Sequence, residues 1–126
     1  MEVPGIVPSL RDGPLRDRDG LLLGRVEDLL FDAQTNRPAW LVVRLSGPDE
    51  RRTLVPAPRA RHTVDGLRAA HAADAIRACP VTLTAAVALR EHVAGAARHY
   101  GLRRFARGEA FTSAAPAPAP AAARVA

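Results

Sequence analysis

Five carboxylates crowd the stretch from residue 17 to residue 32: Asp17, Asp19, Glu27, Asp28 and Asp32. Such a cluster could hold a calcium ion or run acid–base chemistry. A calcium loop needs oxygen ligands at its first, third and fifth positions and a glycine at the sixth. Counted from Asp17, the last two places fall on Leu21 and Leu22, so the template fails. These groups read instead as turn and strand-end carboxylates. The histidines, His62, His71, His92 and His99, include no pair one helical turn apart, and Cys79 has no second thiol to share a metal with. Pro80 follows that cysteine, and no nucleophile motif surrounds it. The glycines of `DGLLLG` have the wrong spacing for a phosphate-cradling loop. The expectation is a non-catalytic chain with no metal and no cofactor.

A second group carries charge rather than reactivity. Arg98, Arg103, Arg104 and Arg107, interleaved with His99, Tyr100 and Phe105, have the composition of an anion- or nucleic-acid-binding surface. The plainer alternative is a basic helix end that complements the helix dipole and keeps the domain in solution. Residues 1–50 hold six arginines against nine acids, and residues 51–126 hold twelve against four, which makes up the net +5. Lysine is absent throughout. Uniform arginine use beside abundant alanine suits GC-rich coding, so the asymmetry of charge carries more weight than the residue type. A one-sided basic surface concentrates anionic partners.

The elements that must position these groups are modest. Of the 126 residues, 26 are alanine and only 34 are larger apolar residues, 19 of them between Leu10 and Ile76. That supports one small domain. No run approaches the roughly 18 apolar residues of a membrane span, and the N-terminus shows no signal-peptide core. One cysteine excludes an intramolecular disulfide and suits a reducing, cytoplasmic setting. Short apolar runs separated by turn residues predict strands at 14–17, 21–32 (bent near Gly24), 38–45, 51–56, 61–64 and 67–71. Asp19-Gly20 and Asp65-Gly66 suit tight hairpins, and Asn36 can take the same positive φ. From 83 to 100 the period becomes helical. Ala86, Leu89, Val93, Ala97 and Tyr100 form its stripe, Thr84 is a candidate N-cap and Gly101 a candidate stop. Residues 112–126 are an Ala/Pro tail with nothing to bury, expected to be disordered.

The fold expected is therefore mainly β: a small, partly closed barrel of five to six short strands, one C-terminal helix and a loose tail. The expected organisation is an irregular lead-in (1–9), the barrel (10–80), the helix packed on or beside it (81–102), and a basic junction with the tail (103–126). In `AWLVVRL` the strand period sets Leu41, Val43 and Leu45 on one face and Trp40, Val42 and Arg44 on the other. Val26 and Leu30 likewise oppose Leu29 and Phe31. Two neighbouring strands are thus apolar on both sides, and something must cover the outer one. Either the chain's own helix does so, or Phe31, Trp40, Val42 and Arg44 present a protein-binding face.

The stretch `GPLRDRDGLLLGRVEDLLFDAQTNRPAWLVVRLSG` resembles a PRC-barrel domain. The matching elements are the polar turn Asp17 to Gly20, then Leu23-Gly24-Arg25-Val26-Glu27-Asp28, the pair Leu29-Leu30, Asp32, and the strand Trp40 to Val43. Further on, `LVPAPRARHTVDGLRAAHAADAIRACP` is similar to the family's Val-Pro strand end, last hairpin and closing segment, with Cys79-Pro80 in place of Ala-Pro. `REHVAGAARHYGL` resembles the helix that follows the barrel in many actinobacterial-type relatives. The resemblance implies a barrel that docks onto other proteins. Family members include the cytoplasmic part of the photosynthetic reaction-centre H subunit, the C-terminal domain of a ribosome-maturation factor, and stand-alone proteins. With no membrane anchor or extra N-terminal domain ahead of the barrel, the expectation is the shared mode. That mode is an adaptor with protein partners, a second copy of the chain among them. Association with RNA or the ribosome is the alternative, and a reaction-centre accessory role rests on the family name alone.

Overall fold

A computed structural model describes residues 13–47, 51–64, 66–83, 88 and 90–103, and the backbone of 111–113. Seven strands form: β1 (Pro14–Arg16), β2 (Leu22–Asp32), β3 (Pro38–Leu45), β4 (Arg52–Pro56), β5 (Arg61–Thr63), β6 (Gly66–Arg68) and β7 (Phe111–Ser113). Two helices, α1 (Ala73–Arg77) and α2 (Arg90–His99), complete the described fold. The sheet runs β4-β3-β2-β1-β6-β5, and β7 pairs with the far end of β2. All pairings are antiparallel except β1 with β6, where Leu15 lies opposite Leu67. This is the partly open, mainly β barrel that the sequence pattern predicts.

The turns form for the reasons their residues supply. Gly20, Asn36 and Gly66 have φ of 96°, 60° and 114°, values that glycine and asparagine reach at little cost. Asp32 closes the β2–β3 turn by accepting the Gln34 N–H at 2.8 Å, and its carbonyl accepts the Asn36 N–H at 2.7 Å. Gly24 is required for another reason. A Cβ there would lie 2.0 Å from the Arg44 carbonyl oxygen, so β2 and β3 approach more closely than any side chain permits.

Two apolar clusters divide the interior. Leu15, Leu23, Val26, Leu29, Leu41, Val43, Val55, Leu67 and Ile76 fill the barrel. Leu30, Trp40, Val42, Leu54, Cys79, Val81, Val93, Ala96 and Ala97 form a second layer outside it. One sequence expectation is corrected here: Val26 joins Leu29 inside the barrel instead of sharing a face with Leu30. A register shift between Val26 and Asp28 inserts an extra residue, and one extra residue exchanges the faces of everything beyond it.

The C-terminal portion departs from expectation in three places. Residues 79–83 are extended, with Cys79, Val81 and Leu83 buried and Pro80 and Thr82 exposed; the Leu83 N–H donates to the Arg52 carbonyl at 2.9 Å. Leu83, expected as the first residue of the helix, instead bridges to the edge of β4, and among the described residues α2 spans Arg90–His99. The proposed cap Thr84 and the stripe residues Ala86 and Leu89 lie outside the described residues. Gly101, with φ of 72°, ends α2 as expected, and the Leu102 N–H reaches back to the Ala97 carbonyl at 2.8 Å. Finally, Thr112 and Ser113, assigned to the loose tail, are in β7, where Thr112 lies opposite Phe31. The free edge of β2 beyond the short β1 offers them a ladder, a long-range pairing that local composition does not reveal. The lead-in 1–9, and the remainder of the junction and tail at 104–110 and 114–126, lie outside the described residues.

Candidate interaction surface

The carboxylates singled out from the sequence serve the turns. Asp17 is 4% exposed and sits where β1 meets the turn into β2. One oxygen accepts the N–H groups of Asp19 (2.9 Å) and Leu21 (2.8 Å), and the other accepts that of Ala73 (2.9 Å) at the start of α1. Burial pushes this carboxyl up, but the surrounding backbone donors outweigh it and hold the acid below its usual range. Asp17 thus ties the first hairpin to the first turn of α1, whose own cap position, Ala72, has no side-chain acceptor. Glu27 binds the Arg52 guanidinium and lies 3.9 Å from that of Arg44. No three His, Cys, Asp or Glu side chains converge to hold a metal among the described residues.

The outer face of β3 is covered. Trp40 is 1% exposed and Val42 is fully buried beneath Val93, Ala96 and Ala97 of α2 and the 79–83 segment. Phe31 is half-buried and Arg44 exposed, so the four candidate interface residues do not form one open patch. This corrects the docking-face expectation for Trp40 and Val42. The physical reason is the run of small residues on α2, which lets the helix lie close over the tryptophan. Gly95 continues that run, since a Cβ there would lie 3.3 Å from Val81.

Tyr100 seals the junction. Its ring packs against both clusters and lies 6.2 Å from the Trp40 ring, 4.8 Å from His71 and 4.8 Å from His99. Its hydroxyl donates to the Leu54 carbonyl at 3.1 Å. Burial first, and the neighbouring Cys79 thiol second, keep this phenol protonated well above the usual tyrosine range. His71 is held below its ordinary 6.5 by burial, reinforced by electrostatic repulsion from Arg18, His99 and Arg59. His99 sits 2.7 Å from the Ala75 carbonyl, which joins the two helices. Both histidines therefore have packing and bonding roles within the fold.

A cavity of about 290 Å³ opens beside Trp40, with Arg37, Pro58, Leu102 and Arg103 in its wall. Arg103 and Arg98 are exposed members of the basic patch seen in the sequence, whereas Arg104 and Arg107 lie outside the described residues. The structure therefore does not bring the four together as one described surface.

What sequence reasoning missed is a set of arginines on the barrel wall. Arg52, Arg44 and Arg25 stand opposite one another on β4, β3 and β2. Arg16, Arg68 and Arg61 do the same on β1, β6 and β5. Directly opposite residues share a sheet face. Leu22, opposite Arg16, is 47% exposed and its neighbour Leu21 is 57% exposed. Pairing between strands distant in sequence assembles the second row, and no local motif announces it.

A partly closed barrel with an apolar layer outside one wall defines a small β-barrel module. Residues 7–69, half of the 126, match the model of the PRC-barrel domain, and the chain belongs to that family. The match ends at Ala69, so α1 lies beyond it, as do the 79–83 segment and α2, the two pieces that cover β3. No curated protein matches the chain.

Proposed function

We propose that this chain is a non-catalytic adaptor of the cytoplasm that works through protein–protein contacts. The observation that carries the reading is the unequal treatment of the barrel's outer wall. Over β3 and β4 the wall is sealed by the chain's own helix, whereas over β1, β6 and β5 it displays arginines beside exposed leucines. A mixed apolar and cationic sheet face suits recognition of another protein, because apolar contact supplies affinity and charge supplies orientation and specificity. The family is in general one of interaction modules. The buried thiol of Cys79 fits a reducing compartment, and no helix among the described residues is long and apolar enough to cross a membrane.

The test is photo-crosslinking from the full chain in its own cells, with light scattering on the purified protein. The expected result is protein adducts from the barrel wall, and light scattering tells whether the partner is a second copy. Adducts to RNA alone would overturn the adaptor reading in favour of an RNA- or ribosome-associated role.

A further inference from the structure

The row Arg16–Arg68–Arg61 breaks a rule that the rest of the sheet obeys. Like charges placed directly opposite on neighbouring strands repel, and the Arg52–Arg44 pair is relieved by Glu27 between them. The second row has no such relief. Among the described residues none of its three arginines is within ion-pair distance of a carboxylate. The Nε atoms of Arg16 and Arg68 are shielded from solvent without any hydrogen-bond partner. Two of the guanidinium groups meet at one turn. Arg16 Nη1 donates to the Gly20 carbonyl at 3.0 Å, and Arg68 Nη2 lies 3.2 Å from where a Cβ of Gly20 would stand. The exposed Leu21 and Leu22 follow immediately.

From this juxtaposition we infer that Arg16, Arg68 and Arg61, with Leu22 at the head of the row, form a docking face for an acidic segment of a partner protein. The segment's carboxylates bridge the guanidinium groups, and its apolar side chains rest on the leucines. Guanidinium groups bind carboxylates in a fixed, two-pronged geometry, and adjacent strands about 4.8 Å apart hold the three of them in one row. Nucleic acid fits less well, because exposed leucines answer an apolar side chain, and the row has no aromatic platform on which a base could stack. Local frustration of this kind is expected where a surface serves a partner. The inference rests on the adaptor reading and specifies its surface.

The test uses the full chain and a fluorescein-labelled peptide of several glutamates followed by two leucines, with fluorescence anisotropy as the readout. Its glutamine–leucine counterpart and an oligouridine of equal charge are the comparisons. The acidic peptide should bind best. Arg61→Glu, at an exposed position, and Arg68→Gln should each weaken it by about tenfold, the loss of one charge-assisted contact. Leu22→Ser should weaken it by a smaller factor, and Arg103→Gln, elsewhere on the surface, should leave it unchanged. Thermal melts confirm that each variant is folded, and Arg61→Glu carries the test if Arg68→Gln is not. Absence of peptide binding, binding indifferent to Arg61→Glu, or tighter binding of oligouridine at the same residues would each overturn the inference. A photo-reactive side chain at position 22 or position 98 in cells separates the two levels. Protein adducts from 98 but not 22 sink the arginine row and leave the adaptor intact. Protein adducts from neither sink the adaptor reading itself.

Discussion

The two halves of the barrel wall solve the same problem in opposite ways. Over β3 and β4, Trp40, Val42 and Leu54 face outward and would be insoluble if bare, so the chain folds its own helix onto them. Over β1, β6 and β5 the outward residues are arginines, which need no cover but repel one another in the absence of a carboxylate. The first half has met its requirements within the molecule. The second half has been left with charge and exposed leucines whose complement is another chain. Self-sufficiency on one side and incompleteness on the other mark where to look for the partner.

Substitutions on the two halves should therefore differ in size and sign. Trp40→Ala empties the space between barrel and helix and should cost about 3–5 kcal/mol in urea unfolding. A near-neutral result would mean that the helix does not depend on this face. Asp17→Ala leaves the N–H groups of Asp19, Leu21 and Ala73 without their acceptor and should cost about 1–3 kcal/mol. Protection of α1 in hydrogen exchange should fall alongside. Tyr100→Phe removes only the bond to the Leu54 carbonyl, about 0.5–1.5 kcal/mol by denaturation. On the other half, Arg61→Gln should leave stability unchanged or raise it by about 0.2–1 kcal/mol, since it relieves like-charge repulsion. A clear loss would show that the row is structural. The smallest effect is on pH dependence. His71 has a depressed folded value, so the unfolded chain takes up its proton first and stability falls as pH drops below about 6.5. His71→Asn should flatten stability over the window just below that pH.

Much of the fold was legible because local chemistry decides it. Gly20, Asn36, Gly66 and Gly101 stand where positive φ is needed, and the two-residue period of `AWLVVRL` gave the inner face of β3 correctly. The same period showed that Trp40 and Val42 needed cover, but periodicity cannot tell an intramolecular cover from a partner. The bulge between Val26 and Asp28 was invisible, because one extra residue leaves composition unchanged while reversing a face. β7 and the extended course of residues 79–83 depend on sheet edges provided by remote strands. The second arginine row escaped for the same reason. Arg16 and Arg68 become neighbours only through the parallel pairing of β1 with β6.

That parallel pairing also bears on how the protein comes into being. β1 leaves the ribosome before β6, the strand that flanks its outer side and is made only after β2, β3, β4 and β5. Pairing at such separation is slow, because loop closure must precede the contacts that reward it. Until β6 arrives, β1 is an unprotected edge in a growing chain, and edges of that kind invite association between nascent copies. Its brevity, three residues ending in a guanidinium, is of the kind that blunts edge-to-edge pairing.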